Sequence, residues 1–559
     1  MHSEPPAPRP LARLSNDPGA RVLAPAALVS VIVLALWIAW SPPGANDITA
    51  SEGYYGTQAR GLLLDHRFPL SPPLRPMGEP GFKPPLYPAL LAVSIHLFGA
   101  NEAALRGPSL ALAALIAVLL AALVARAAGV FAGVGAAALL MTLPWYGDSS
   151  RFAASVIPVT ALGAAALVVL ARAPATIARA AAAGALLGLA YLCKLWLMLP
   201  LLLAALAMIG RRPAHAAALL AATIAVGSAH LIAVAVFEPA LLPGWFLFGW
   251  RVFLWDWLTG APYAGELVHP PGYYLWILTH AFVLLLPLVG LGALTAVRRL
   301  SEPAPRGLLV WALGAALLSL SAVKLPIYLY VVIPPWVGLA SLGAAALATG
   351  RESMGPVEWI VLGLFAAVGS PLAARLAFSE GPAWQAWAVA WAGFLAALAA
   401  RGARSGIQRP AALALVLLAI AGGLAREARR LPLRYHDPGL QVVARAVAPR
   451  LAELPPGTVS VLSVDAPALS YYLFRTARHW FLEEGDTPAR RLVRVAGNDS
   501  VRVFVIDRDG GLYGGAPDPG FLAWLRADTR EITGEIESRA GRRLGVRVFV
   551  REPRVPAVR

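Results

Sequence analysis

The stretch that organises the chain runs from Asn46 to Leu90 and reads NDITASEGYYGTQARGLLLDHRFPLSPPLRPMGEPGFKPPLYPAL. It is dense in charge, although only 14% of the whole chain is charged. Helical spacing places Glu52 and Tyr55 on one face, and Ser51 is positioned to serve as the N-cap. A proline-rich run then interrupts the helix, and KPPLYPALL begins a new one with its prolines in the opening turn, where a missing N–H costs little. One carboxylate and one lysine, Lys83, are thereby held on two short helices.

The composition identifies the chain as an α-helical polytopic membrane protein. Of its 559 residues, 58% are hydrophobic, which excludes an ordinary water-soluble globule. The net charge is +16, from 47 Lys and Arg against 31 Asp and Glu. Most of the excess lies in short loops between apolar segments, as the positive-inside rule expects, so we expect no nucleic-acid partner. The single cysteine, Cys193, excludes an internal disulfide.

Apolar segments of bilayer length predict thirteen membrane spans, since a span needs roughly 20 apolar residues. They are 23–40, 107–126, 130–146, 151–172, 175–191, 194–210, 214–237, 272–297, 306–322, 326–349, 356–376, 384–400 and 410–425. With the N-terminus in the cytoplasm, arginines such as Arg126, Arg211 and Arg299 fall in cytoplasmic loops, as the charge rule requires. An odd number of spans places the C-terminal region outside the cytoplasm.

These features predict three regions. Residues 1–22 are expected to form a disordered cytoplasmic tail, and residues 23–430 a transmembrane domain whose first extracytoplasmic loop is 41–106. Residues 431–559 are polar and rich in Gly and Pro, and they hold short apolar runs at 459–465, 501–507 and 546–550 that are typical of strands. We therefore expect a small extracytoplasmic α/β domain at the C-terminus.

Isolated charged residues that do not belong to the basic cytoplasmic loops are expected on the outer side of the membrane. They are Glu52, Lys83, Asp148, Arg151, Lys194, His269 and Lys324. A charge within or beside an apolar span is costly and usually faces a cavity or an anion. The sequence therefore predicts that these side chains meet at one water–lipid boundary.

The lysines have two interpretations. Lys83 lies at a helix start, where an ammonium and free backbone N–H groups favour phosphate, or it extends toward lipid headgroups. Lys324 is followed by Pro326 within an apolar stretch, which favours binding of phosphate or lipid phosphate. Lys194 interrupts a long apolar stretch and is either cavity-facing or extended toward the interface.

The acids and His269 also leave alternatives open. Glu52 is either a solvated loop residue or a carboxylate that accepts a proton or holds a divalent cation. Asp148 and Arg151 either pair across a turn or contribute to the site. His269 is either part of an interfacial aromatic belt or part of the site. The spacing of His and Cys supports no zinc site, and a divalent cation is the one cofactor left open.

Five segments in order resemble the type-C glycosyltransferases of the protein O-mannosyltransferase and lipid A aminoarabinose transferase group. They are SEGYY (51–55), KPPLY (83–87), GLAYLCK (188–194), HPPGYY (269–274) and KLPIY (324–328). The resemblance implies a membrane glycosyltransferase with a polyprenyl-phosphate monosaccharide as donor, transfer with inversion at the outer face, and a lipid, protein or cell-envelope glycan as acceptor. It also implies a bacterial inner-membrane location with the C-terminal domain in the periplasm.

The resemblance further implies roles for individual residues. Glu52 matches part of the family's acidic pair and, with Asp148, is expected to be catalytic; the substrate-binding residues are expected to be Tyr55, Lys83, Arg151, Lys194, His269, Tyr274, Lys324 and Tyr328. The chain departs from the pattern twice, since Ser51 precedes Glu52 where the family commonly has Asp, and Val156 lies near the second acidic position. The alternatives are a transporter or flippase of lipid-linked saccharides and a non-catalytic protein that binds lipid phosphate.

Overall fold

The structure is a computed structural model that describes the residues given in the next sentence. The described residues are 17–43, 47–65, 84–172, 176–237, 269–282, 285–349, 439–453, 460–463, 466–474, 478–481, 501–508 and 519–551, with four single or paired positions at 239, 242–243, 259 and 420. Lys83 and the predicted spans 356–376, 384–400 and 410–425 lie outside these residues.

The chain divides into two compact units. The first comprises residues 1–40 and 109–431 and consists of helices where it is described. Its main helices are Leu23–Trp40, Glu102–Ala128 from Ser109 onward, Val130–Thr142, Pro144–Ser150, Val156–Leu170, Ile177–Tyr191, Leu199–Ile209, Pro213–Gly227, Ala229–Phe237, Tyr273–Ala281, Leu286–Arg298, Pro303–Ser319 and Ile333–Thr349. Two 3₁₀ turns, Leu195–Met198 and Pro326–Val331, interrupt this series.

Close helix packing in the first unit depends on glycine. A Cβ added at Gly184 would lie 2.2 Å from the carbonyl oxygen of Leu219, and one added at Gly292 would lie 1.8 Å from that of Leu339. Helices approach this closely in membranes where small residues line the contact. The glycines therefore fix the pairing of Ile177–Tyr191 with Pro213–Gly227, and of Leu286–Arg298 with Ile333–Thr349.

The helices support the predicted membrane-protein class. Within the described ranges, Pro18–Trp40, Glu102–Ala128 and Pro213–Val236 are each long and apolar enough to cross a bilayer. Val130–Thr142 and Pro144–Ser150, which meet at 65°, provide a fourth span if they are taken together. Shorter apolar helices account for other predicted spans, and the count of thirteen stays a prediction. The predicted span 272–297 is divided into Tyr273–Ala281 and Leu286–Arg298, with Pro287 in the opening turn of the second helix.

The second unit comprises residues 41–108 and 432–559. Its first segment provides the helices Ala50–Asp65 and Leu86–Phe98 and the start of Glu102–Ala128. Its second segment provides the helices Leu440–Ala452, Ala466–Tyr472, Pro519–Asp528 and Thr533–Ala540. The structure therefore groups the loop at 41–106, which the sequence assigned to the transmembrane domain, with the C-terminal region.

The C-terminal region contains a small mixed sheet. Its strands are β1 Ser460–Ser463, β2 Arg478–Phe481, β3 Val501–Asp507, β4 Arg530–Glu531 and β5 Val546–Val550, in the order β2-β1-β3-β5-β4. β1 runs parallel to β2 and β3, whereas β5 is antiparallel to β3 and β4. The three strands predicted from the apolar runs are all present. Phe504 and Phe549 pack with Phe521 and Leu525 of the helix Pro519–Asp528, which gives the sheet its core.

Candidate functional site

Glu52 lies in the first turn of the helix Ala50–Asp65 and is fully buried. Its carboxylate accepts the backbone N–H of Thr49 at 2.8 Å, and the Thr49 hydroxyl accepts the N–H of Glu52 at 3.4 Å. This reciprocal pair is a capping box, so Thr49 caps the helix rather than Ser51, which is exposed. Tyr55, on the same face as Glu52, is buried as predicted.

Arg106 holds Glu52 in a two-pronged ion pair. Its Nε donates to Oε1 at 2.8 Å and its Nη2 donates to Oε2 at 3.0 Å. The same guanidinium donates to the carbonyl oxygens of Pro43 and Asp47, both at 2.8 Å. A buried carboxylate needs such partners, because desolvating an unpaired charge is very costly. Both oxygens of Glu52 are thus occupied by N–H donors.

The segment that precedes Glu52 is fixed by further contacts within the second unit. Asp47 accepts the backbone N–H groups of Leu440 and Gln441 at the start of the helix Leu440–Ala452. The Tyr472 hydroxyl accepts the N–H of Ile48 and donates to a carboxylate oxygen of Glu102 at 2.8 Å. Burial raises the pKa of Tyr472, and the nearby charges of Asp47 and Glu102 raise it further, so this hydroxyl keeps its proton.

The sequence indicated only part of this network. Glu52 and Tyr55 were singled out, but their partners Arg106 and Tyr472 were not. The signal for Arg106 was present, since it is an isolated charge directly before the predicted span 107–126. Tyr87, which follows Lys83 in the KPPLY segment, packs its ring against Tyr55 with 5.1 Å between the ring centroids.

Lys194 is a buried cation in the first unit. It separates the helix Ile177–Tyr191 from the 3₁₀ turn Leu195–Met198, and only 8% of it is exposed. Its Nζ lies 5.6 Å from the centre of the Tyr328 ring, within the range of a cation–π contact. Trp196 meets the same ring edge-on, with 5.4 Å between the ring centroids. In the described part of the chain, no carboxylate forms an ion pair with Lys194.

Lys324 lies four residues before Tyr328 and is 1% exposed. Its Nζ donates to the carbonyl oxygens of His269, at 2.8 Å, and Ser321. The Tyr274 hydroxyl donates to the carbonyl oxygen of Leu325 at 3.0 Å. Five residues that the sequence singled out, far apart in the chain, are therefore connected around the segment 324–328. They are Lys194, His269, Tyr274, Lys324 and Tyr328.

The imidazole ring of His269 stacks on the ring of Tyr273. Its ring lies parallel to that of Tyr273, with an angle of 6° and 3.9 Å between the ring centroids. Its backbone N–H donates to the carbonyl oxygen of Ala322 at 3.2 Å. The second contact ties the HPPGYY segment to the residues directly before the KLPIY segment.

Asp148 and Arg151 lie at the end of the helix Pro144–Ser150, where Asp148 is half-buried and Arg151 is buried. The Arg151 guanidinium lies over the Trp37 ring, 5.4 Å from its centre. Between the two charges, the Ser150 hydroxyl bonds to the Tyr330 hydroxyl at 2.8 Å. The Asp148–Arg151 segment is thereby joined to the turn Pro326–Val331, which also carries Tyr328.

Two further properties bear on what the site can bind. Among the described residues, no three His, Cys, Asp or Glu side chains come together in a way that would hold a metal ion.

Lysine is very rare, since only three of the 47 Lys and Arg residues are lysines. These are Lys83, Lys194 and Lys324, all three of which were predicted to bind substrate.

Comparison with known proteins identifies the fold. Residues 82–242, which include Asp148, Arg151 and Lys194, match the family model of the dolichyl-phosphate-mannose-protein mannosyltransferases. The structure of ArnT from Cupriavidus metallidurans bound to undecaprenyl phosphate is similar, with a TM-score of 0.59 and 18% identity over 94% of this chain and 99% of that chain. The chain has the type-C glycosyltransferase fold.

Two oligosaccharyltransferase structures extend this result. The apo enzyme from Archaeoglobus fulgidus has a TM-score of 0.54 and 14% identity over 88% of this chain and 69% of that chain. AglB from the same organism, in complex with an inhibitory peptide and a dolichol-phosphate, has a TM-score of 0.51 and 16% identity over the same shares. No curated protein matches the chain in sequence. The resemblance inferred from the five segments is therefore confirmed by the family model and by the fold.

Proposed function

We propose that the chain is a membrane glycosyltransferase that moves a monosaccharide from a polyprenyl-phosphate donor to an acceptor. The observation that carries the proposal is the pair of buried lysines: Lys194 lies against the ring of Tyr328, and Lys324 lies four residues before Tyr328 in the chain. Buried ammonium groups that form no ion pair with a carboxylate, among the described residues, suit an anionic ligand. The undecaprenyl phosphate and dolichol-phosphate of the two similar structures are anions of this class.

The use of lysine supports this assignment. Arginine serves throughout the rest of the chain, including the buried Arg106 and Arg151. The lysine ammonium is a compact point charge, whereas the planar guanidinium of arginine suits bidentate ion pairs such as that of Arg106 with Glu52. A chain that keeps only three lysines, all at predicted substrate-binding positions, fits a requirement for a compact ammonium at each of them. Lys83 stays a predicted phosphate-binding residue.

The proposed reaction is a single displacement. A hydroxyl or amine of the acceptor attacks the anomeric carbon, the bond from that carbon to the phosphate oxygen breaks, and the lipid phosphate leaves with the electron pair. The configuration inverts because the acceptor enters opposite the leaving group. The lysines stabilise the negative charge that develops on the leaving phosphate, and a carboxylate takes the acceptor's proton.

The two acids predicted to be catalytic have different surroundings, and we assign them different roles. Asp148 is half-buried and joined through Ser150 to the turn that carries Tyr328, which suits a base. Both oxygens of Glu52 are held by Arg106 and Thr49. We therefore propose that Glu52 positions the start of its helix, and that Asp148 accepts the proton. We propose that Arg151, His269 and Tyr274 complete the donor site, and Tyr55 stays a predicted substrate-binding residue.

We place the protein in a bacterial inner membrane, with the N-terminus in the cytoplasm and the reaction on the periplasmic side. The charge pattern of the loops supports this orientation. The acceptor is a lipid, a protein or a cell-envelope glycan that is accessible on that side.

The experiment uses purified protein with undecaprenyl phosphate that carries a radiolabelled monosaccharide, in the presence of a cell-envelope extract as acceptor. The proposal expects release of undecaprenyl phosphate and transfer of label to the acceptor. A transporter would instead move the intact labelled lipid across a liposome bilayer without cleaving it. A non-catalytic binding protein would bind the lipid and do neither, and either result would contradict the proposal.

A further inference from the structure

The first unit has a basic cleft at the beginning of two helices, Ile177–Tyr191 and Pro213–Gly227. The polar side chains that line it are Thr176, Arg179, Arg212 and His215. Thr176 and Arg212 directly precede the two helices, and Arg179 and His215 lie in their first turns. The helices pack closely against each other, so their first turns bring these side chains together from two parts of the chain.

The cleft is accessible to a ligand. It encloses about 290 Å³ of space that opens to solvent, and Arg212 is exposed at its rim while His215 is half-buried. Its base is apolar, because Met208 and Ile209 line it and are themselves buried. A ligand can therefore lie on an apolar base between charged side chains.

The cleft has positive charge and no acidic residue of its own. Between Asp148 and Glu238 the sequence contains no Asp or Glu, and every segment that lines the cleft lies in that interval. The helix Pro303–Ser319 packs against the helix that ends at the base of the cleft, and the Glu302 that precedes it pairs with Arg299. A cleft lined by one sign of charge concentrates the opposite ion. The ligand that fits is therefore an anion.

The cleft and Lys194 lie at opposite ends of the same helix. Ile177–Tyr191 begins at the cleft and ends three residues before Lys194, and its 15 residues span about 22 Å. The charge rule assigns the end with Arg211 and Arg212 to the cytoplasmic side. The cleft is thus a second cationic site, and the charge rule puts it on the side of the membrane opposite the proposed donor site.

Apolar side chains beside the cleft distinguish a lipid phosphate from a free one. Ile177, which follows Thr176, is 54% exposed, and Ile224 on the helix Pro213–Gly227 is 66% exposed. Such side chains contact acyl chains when a helix lies in a bilayer. Basic pockets between membrane helices on the cytoplasmic side bind the headgroups of anionic lipids. A phosphate that is attached to acyl chains therefore satisfies both the charged rim and its apolar surroundings.

We propose that the cleft binds the phosphate of an anionic phospholipid in the cytoplasmic leaflet. Arg212 and His215 donate to the phosphate oxygens. The hydroxyl of Thr176 accepts the N–H of Arg179 at 3.2 Å and donates its hydrogen to the same phosphate. The Arg179 guanidinium donates to the carbonyl oxygen of Arg172 at 3.0 Å and forms one wall of the cleft. The inference does not depend on sugar transfer, since the cleft and Lys194 lie at opposite ends of the helix.

The test measures the affinity of the purified full-length protein for fluorescent phosphatidylglycerol in detergent. Phosphatidylcholine with the same acyl chains is the lipid without net charge, and inorganic phosphate is the competitor. The variants are Arg212→Gln and the double variant Arg212→Gln/His215→Gln. Arg211→Gln is the matched control, because it removes the same charge from the adjacent exposed position, which does not line the cleft. Melting temperatures are measured for all four proteins.

We expect the wild type to bind phosphatidylglycerol more tightly than phosphatidylcholine. Arg212→Gln should lose about fivefold in affinity for phosphatidylglycerol, which is the effect of one cationic side chain near an anionic lipid, and the double variant about tenfold or more. Arg211→Gln should bind phosphatidylglycerol as the wild type does. Without added lipid, all four proteins should melt at the same temperature, because the substituted side chains are exposed or half-buried.

Equal losses in Arg211→Gln and Arg212→Gln overturn the proposal, because they show that general surface charge attracts the lipid and the cleft does not. A wild type that does not distinguish the two lipids also overturns it. Displacement of phosphatidylglycerol by inorganic phosphate at similar concentrations shows a site for a free anion, which contradicts the assignment to a lipid. If the double variant melts lower than the wild type, the comparison of Arg212→Gln with Arg211→Gln decides alone, since both positions are exposed.

Discussion

Replacing Arg106 by methionine removes the guanidinium that holds Glu52, and the structure sets the size of the effect. The Glu52 carboxylate is fully buried and would lose both N–H donors of Arg106 while keeping that of Thr49. Removing one partner of a buried ion pair costs about 3–5 kcal/mol, because the other charge is left uncompensated. The carbonyls of Pro43 and Asp47 lose a donor as well, at about 1 kcal/mol each. We expect Arg106→Met to weaken the folding of residues 41–108 severely.

The assay is limited proteolysis and thermal unfolding of the purified protein, with sugar transfer measured on the same preparations. Arg106→Met and Glu52→Gln should both be cleaved faster than the wild type and should both lose transfer. Arg179→Gln is the control, because it alters a partly exposed arginine that donates to the carbonyl oxygen of Arg172 and takes no part in the Glu52 pair. Membrane insertion should be normal in all of them.

The double variant Glu52→Leu/Arg106→Met separates a positioning role from a catalytic one. With both charges gone, no uncompensated charge remains, so it should be more stable than Arg106→Met by about 1–3 kcal/mol, which is typical coupling for a contacting pair. A positioning role for Glu52 predicts that part of the transfer activity returns with stability. Wild-type stability in Arg106→Met would refute the reasoning about the pair, and a stable double variant without any transfer would refute the positioning role.

Four further predictions follow from single contacts. Lys194→Met should raise the KM for the lipid-linked donor more than tenfold, whereas Lys194→Arg keeps the charge and should recover only part of the loss; an unchanged KM in both would remove Lys194 from the site. Tyr330→Phe should lower kcat/KM about fivefold to tenfold, as loss of one hydrogen bond worth ~1 kcal/mol predicts, and a wild-type value would show that the bond to Ser150 positions nothing. Gly184→Ala should destabilise the first unit by about 1–3 kcal/mol, because its Cβ would meet the Leu219 carbonyl oxygen at 2.2 Å, and a normal melting temperature would contradict that packing. The backbone N–H of Leu544 and the Arg508 guanidinium lower the pKa of Glu537, so the stability that this carboxylate adds is present above the ordinary glutamate pKa of 4.5 and is lost as the pH falls through the lowered value. Glu537→Gln should therefore reduce the fall in melting temperature at acidic pH, and the same fall in the variant as in the wild type would refute this.

Much of the fold was predictable because its signals are local. Apolar segments with arginines between them indicate a membrane protein, and the short runs at 501–507 and 546–550 indicate strands. The division of the predicted span 272–297 was harder to see, since both halves are apolar and only Pro287 marks the break. The count of thirteen spans stays a prediction, because the last three lie outside the described residues.

The candidate site was predictable where a residue was conspicuous by itself. Lys194 and Lys324 interrupt apolar stretches, and the structure places Lys194 against Tyr328 and Lys324 against the backbone of His269. Partners that depend on tertiary contacts were not predictable. Arg106 meets Glu52 across 54 residues of chain, and Tyr330 meets Ser150 across 180. Hydrophobic periodicity carries no information about such pairs, because it reports which face is buried and not what that face touches.

The central claim is that buried lysines of the first unit hold a lipid phosphate. Its most direct test is the equilibrium affinity of the purified protein for undecaprenyl phosphate, measured for the wild type, Lys194→Met, Lys324→Met and the control Arg179→Gln. The account predicts that each lysine variant loses at least tenfold in affinity and that the arginine variant binds as the wild type does. Equal affinity in all four proteins would contradict it.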